Sequence, residues 1–143
     1  MPKRTSSRPR TPGREPVALL YDDIFLEHRA LYAHPESPER LLAIRRLLAE
    51  TGVEDEVVWL PVRPADEEAI LAVHLEKHLR RVMMASLEGG RHLDPDTFTN
   101  SASYDAAMMA AGAVTAGVDA VLGGEYRRAF ALVRPPGHHA TPG

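Results

Sequence analysis

The chain has 143 residues, a formal net charge of −3, 44% hydrophobic and 26% charged residues, and no cysteine. This is one domain's worth of material, able to bury roughly two-thirds of its unfolded surface. The composition excludes a disulfide framework, a thiolate nucleophile and any Cys-based metal site, and the net acidity argues against nucleic acid as a partner of the whole domain.

Residues 1–16 carry Lys3, Arg4, Arg8, Arg10 and Arg14 against a single acid, Glu15, with four prolines. Such a segment cannot bury enough apolar surface to offset its ordering entropy, so a disordered basic tail is expected. The charge run is short and patternless, which favours a solvated extension over a nucleic-acid-binding arm. No apolar signal-peptide core opens the chain, and the longest uncharged apolar run, Ala106–Val118, falls short of the ~20 residues of a spanning helix. A cytoplasmic location without a membrane partner is the expectation.

Order is expected from Val17. Val17–Leu20 reads as a short buried strand, ended by Asp22 and Asp23. Ser37 as N-cap and Pro38 at the first helical position predict a helix closed by Gly52, with Leu41, Ile44, Leu47 and Leu48 on its apolar face and Arg40, Arg45, Arg46 and Glu50 in solvent. Val57–Leu60 predicts a second strand, stopped by Pro61. Residues 65–87 predict two helical stretches with Ile70, Val73, Leu79, Val82, Met83 and Leu87 as apolar positions, ended by Gly89 and Gly90. Leu93–Asn100 reads as loop. An Ala-rich helix is predicted over Ser103–Leu122, with Gly112 and Gly117 permitting close packing and Gly123 and Gly124 ending it. Ala129–Val133 is apolar throughout, as for a strand covered on both faces. Strands alternating with helices predict an α/β fold with a mainly parallel sheet; no internal repeat is found.

The most informative segment follows that last strand: Arg134-Pro135-Pro136-Gly137-His138-His139-Ala140. In open α/β sheets, ligands bind at the carboxyl ends of strands. Two prolines stiffen the turn, Gly137 allows close backbone approach, and two imidazoles arrive suited to general-base work or metal ligation. A bare His-His pair in a loop need have no role; the strand–turn context favours one.

With its flanking strand, this segment resembles the active-site turn of the histone deacetylase and acetylpolyamine amidohydrolase family. His34-Pro35-Glu36-Ser37-Pro38-Glu39-Arg40 resembles the family's HPExPxR segment, Ile70–His74 with His78 and Leu79 its helix pair, and Asp94-Pro95-Asp96-Thr97 its DxDT loop. The likeness runs from about Val17 to Gly143. It implies a zinc-dependent amide hydrolase on an arginase-like three-layer αβα fold, acting on acetyl-lysine, acetylated polyamines or other small acetylated amines. By the same likeness His139 is the general base and His138 its electrostatic partner or proton donor, neither being a zinc ligand. Asp96, near the pocket rim, and Gly137 are placed with the substrate.

The departure from the family is as plain. Its zinc ligands lie on an Asp-x-His motif and a later Asp, and no Asp-x-His occurs in these 143 residues. The chain is therefore expected to be the N-terminal portion of a deacetylase domain, incomplete in its sheet, with zinc as the implied cofactor and no zinc ligand of its own. The alternative is a non-catalytic truncated or split half-domain that associates with a partner, as an oligomer or with a complementing C-terminal half. His74 and His78 have the i, i+4 spacing of a zinc-binding pair but lack the HExxH pattern, so helix-end packing is the simpler reading. His34 is expected to shape its loop, Tyr104 to be structural, and Met83, Met84, Met108 and Met109 to pack in the core or a lid.

Overall fold

The computed structural model describes residues 15–138 and 140–143. The expected tail, residues 1–14 of it, and His139 lie outside the described residues.

Three short parallel strands form the sheet: β1 (Ala18–Leu20) in the middle, β2 (Val58–Leu60) on one side and β5 (Ala129–Ala131) on the other. The path from β1 to β2 runs through helix α1 (Glu39–Thr51), and the path onward to β5 runs through α2 (Glu67–Leu71), α3 (Glu76–Leu87) and α4 (Ser103–Leu122). Parallel pairing needs such crossovers, and this is the predicted α/β architecture.

The register puts Ala18, Val58 and Ala129 side by side, and likewise Leu20, Leu60 and Ala131, on one face of the sheet. Helix α4 covers that face. Gly117 lies where a Cβ would stand 3.2 Å from Leu20 Cδ1 and 3.3 Å from the Ala129 Cβ. At Gly112 a Cβ would stand only 1.9 Å from the Arg63 carbonyl oxygen, so the chain entering α2 lies directly on the helix backbone. The Ala65 N–H donates to the Met108 carbonyl at 2.9 Å, turning the end of that crossing toward α4. The close packing expected of both glycines is present. By length and composition alone α4 could cross a membrane; here its small residues Ala106, Ala110, Ala113 and Ala120 are buried within the fold.

Leu19, Trp59 and Phe130 share the opposite face. Phe130 is 56% exposed, so among the described residues the outer face of β5 is only half covered, and β5 stands at one end of the three-stranded order. Helix α1 reaches this side through an unexpected residue. Arg45, assigned to solvent by its charge, lies 4.4 Å from the Tyr21 ring centroid and 5.9 Å from that of Trp59. Leu41, Arg45 and Leu48 sit at i, i+4 and i+7, and this is the inward stripe; Ile44 and Leu47 are exposed. An arginine stem with a flat cationic head can cover aromatic surface, which a hydrophobicity pattern does not register. Val73 and Leu87 are likewise exposed, whereas Leu79 is buried and Met109 packs against the core.

Two local details also differ. Helix α1 starts at Glu39, with Pro38 already in helical geometry. The Ser37 hydroxyl pairs with the Glu39 carboxylate, which lowers the pKa of that carboxyl. The stretch expected to be loop contains a small antiparallel hairpin, β3 (His92–Asp94) and β4 (Thr97–Phe98). Gly90 makes its approach: at φ +108° a Cβ would stand 2.2 Å from the Thr99 carbonyl.

Candidate functional site

The carboxyl ends of β1 and β5 lie side by side and carry the site's foundation. Beyond β5 the Leu132 N–H donates to the Leu20 carbonyl at 2.9 Å, and two residues later comes Arg134. Its side chain is 1% exposed. The guanidinium forks onto Glu36, with Nε 2.6 Å from Oε1 and Nη2 2.8 Å from Oε2, and Nη1 donates to the Phe25 carbonyl at 2.7 Å. Phe25, fully buried, lies in the one-turn helix Asp23–Leu26 that follows β1. Burial pushes the Glu36 carboxyl up, but the Arg134 hydrogen bonds and charge outweigh it, and its pKa falls below the ordinary value. The Arg134–Pro135 peptide is cis.

Beside this pair sits a histidine to which the sequence assigns no role. His28 is 4% exposed and stacks on Phe98 at 4.7 Å. Its Nδ1 is 2.8 Å from Ser103 Oγ, and its Nε2 is 3.9 Å from Glu36 Oε2. The proton positions follow from the partners. Asn100 Oδ1 accepts from the Ala102 N–H at 3.1 Å and from the Ser103 hydroxyl at 2.9 Å. The Asn100 N–H donates to Ser103 Oγ at 2.7 Å. A hydroxyl has one proton to give, so Ser103 can only accept from His28, and His28 carries its proton on Nδ1. Burial, with the Arg134 charge adding to it, lowers the His28 pKa to about 4. The ring is neutral at pH 7.

Glu36 also starts a chain toward the surface. Its N–H donates to His34 Nδ1 at 3.1 Å, so His34 presents Nε2–H to Asp96 Oδ1 at 3.2 Å. His34 therefore shapes its loop, as expected. Asp96 is at the hairpin tip, its side chain 94% exposed. Asp94 builds that tip by accepting from the Asp96 N–H at 2.9 Å and the Thr97 hydroxyl at 2.7 Å, an Asx-type turn. Tyr32 stacks on His92 at 5.7 Å and, with His34, packs edge-on to Phe98.

On the far side, the Leu75 N–H donates to the Pro142 carbonyl and His74 Nδ1 donates to the Thr141 carbonyl, both at 2.7 Å. His74 and His78 stack at 5.2 Å. Burial, then the neighbouring His74 and Arg81, lowers the His78 pKa. The stacked pair packs the α2–α3 corner against residues 141–142. Tyr104 donates its backbone N–H to Ser86 Oγ at 2.9 Å, a structural tie.

The segments that carried the resemblance are thus joined: the Arg134 turn to the Glu36 segment, that segment to the Asp96 hairpin, and the α2–α3 corner to residues 141–142. His138 is exposed in the turn, with the Ala140 N–H donating to the Gly137 carbonyl at 3.0 Å. At Gly137 a Cβ would meet nothing within 4 Å among the described residues. Among the described residues, no three His, Asp or Glu side chains are grouped as a metal would need. These residues do not fit the zinc implied by the resemblance.

The Histone deacetylase domain model matches residues 34–143. The chain belongs to the histone deacetylase family. It is similar to a probable deacetylase of Archaeoglobus fulgidus, 37% identical over 88% of this chain and 35% of that protein. It is similar to a histone deacetylase-like amidohydrolase of Pseudomonas aeruginosa, 38% identical over 79% of this chain and 30% of that protein. The polyamine deacetylase HDAC10 of Danio rerio is 34% identical over 86% of this chain and 20% of its own length. In structure, the chain matches the crystal structure of the HDA15 HD domain with a TM-score of 0.84 and 32% identity, over 90% of this chain and 37% of that one. The chain spans about a third of the length of the first two relatives. The arginase-like α/β fold expected from the sequence is the fold observed, in part.

Proposed function

We propose that the protein to which this chain belongs hydrolyses the amide bond of acetylated amines, with His138 and His139 as its acid–base pair. What supports this reading is the turn from Arg134 to His138 beyond the carboxyl end of a parallel strand, with His139 next in sequence, in a chain of the deacetylase family. His139 takes a proton from the attacking water as its oxygen bonds to the acetyl carbon. The carbon–nitrogen bond then breaks, His138 supplies a proton to the departing amine, and acetate and the free amine leave. Gly137, at which a Cβ would meet no described atom within 4 Å, leaves room for substrate beside His138, and Asp96 at the exposed hairpin tip accepts from substrate N–H groups. Zinc, implied by the resemblance, would be held by residues other than the described ones. The alternative of a non-catalytic half-domain draws no support from relatives named as deacetylases.

The test is acetate release from an acetyl-lysine peptide and from N-acetylputrescine by the full-length protein. His139→Ala is expected to lower turnover ~10²–10⁴-fold, the usual contribution of a positioned acid–base group. Retained turnover in that variant overturns the assignment.

A further inference from the structure

We propose that Arg134 and Glu36 are the positioning residues of the turn beyond β5, setting where His138 stands without touching substrate. The inference rests on the deacetylase reading and deepens it.

A buried ion pair gives little net stability over apolar packing of the same volume, because both charges must be desolvated. What a forked pair gives is direction. Arg134 is held at three points: both Glu36 oxygens and the Phe25 carbonyl. Two of these lie on the loop before α1 and one follows β1, so the origin of the turn is fixed against two other segments. Between Arg134 and His138 stand Pro135, Pro136 and Gly137. The two prolines have fixed φ and transmit the placement of Arg134 along the turn. A methyl group in place of the Gly137 hydrogen would find no described side chain or backbone within 4 Å. The same Glu36 holds His34 through its backbone N–H, and His34 holds Asp96. Glu36 therefore stands behind both sides of the site, its carboxylate holding Arg134 and its backbone N–H holding His34.

The full-length protein is compared with Arg134→Lys, which keeps the charge and loses the fork, and with Glu36→Gln, which keeps the shape and loses the charge. Leu48→Ala, in the core and away from the pair, is the destabilised control. Two readouts are taken: kcat and KM for the acetyl-lysine peptide, and the imidazole NMR signals of ring-labelled histidine followed through pH. Arg134→Lys is expected to lower kcat about 10²-fold, the scale of an ångström-sized misplacement, with KM changed less than about twofold. It is also expected to move the His138 and His139 signals. Leu48→Ala should lower Tm and leave kcat and those signals in place. If Arg134→Lys behaves as Leu48→Ala does, the pair is structural only and the proposal falls. If the wild-type protein releases no acetate, the deacetylase reading falls alone, and the imidazole signals still decide whether Arg134 sets the turn.

Discussion

Replacing His28 by Gln should remove a specific part of the protein's acid sensitivity. His28 is buried and neutral, its pKa lowered from 6.5 to about 4 by burial first and the Arg134 charge second, with the Glu36 carboxylate opposing. In the unfolded chain the ring protonates at its ordinary pKa, so between these two values the unfolded state binds more protons than the folded one. Stability therefore falls as pH falls through that window. The full gap corresponds to about 3 kcal/mol, and the part lost between about pH 7 and pH 5 is about 2 kcal/mol. Glu36 adds little there, since its contribution is present above the unfolded carboxylate pKa and is lost only as pH falls through its lowered folded value. His78, also lowered, contributes in the same direction and stays in both proteins. Urea titrations at pH 7 and pH 5 read the difference. At an m-value of about 2 kcal/mol/M, the wild-type midpoint should drop about 1 M more than that of His28→Gln. Equal drops in the two proteins would refute the buried neutral histidine.

Three further outcomes are expected. Gly112→Ala should lower stability by about 1–3 kcal/mol, because the added methyl meets the Arg63 carbonyl, the Ala65 nitrogen and the Pro64 carbonyl carbon, all backbone atoms that cannot turn aside. Gly117→Ala meets only side-chain atoms at 3.2 and 3.3 Å, so helix propensity should offset most of the strain and the urea midpoint should barely move. Asp96→Ala, at a side chain 94% exposed, should leave stability within about 0.5 kcal/mol. It should raise KM for the acetyl-lysine peptide about tenfold, the scale of one hydrogen bond to a charged group; an unchanged KM removes Asp96 from the substrate site.

What the sequence revealed was whatever local chemistry decides. Helix α4 runs over the predicted residues, because an Ala-rich run closed by a Gly pair admits little else. The parallel strands were legible as apolar runs between helices. The hairpin at 92–98 was not, since strands of three and two residues show no alternation and its turn is made by the Asp94 carboxylate. In α1, Leu41 and Leu48 face the core as expected while Arg45 takes the place expected of Ile44 and Leu47, because a cation on two aromatic rings looks, in a hydropathy pattern, like a solvent-facing charge.

The site divides along the same line. The histidine turn, the Glu36 segment and the Asp96 loop were each visible as words in the sequence. Their connections were not: Glu36 and Arg134 are 98 residues apart, and His28 and Ser103 are 75. Long-range polar ties leave no period to read, yet they decide how the words combine. His28 shows the consequence. Its ring is committed on one side to Ser103 and stands on the other beside a carboxylate already taken by Arg134, so it has no proton to exchange at pH 7. A histidine that close to a candidate active site would pass for an acid–base group on residue type alone. Its partners make it part of the frame, and leave the acid–base chemistry to the turn that the frame holds.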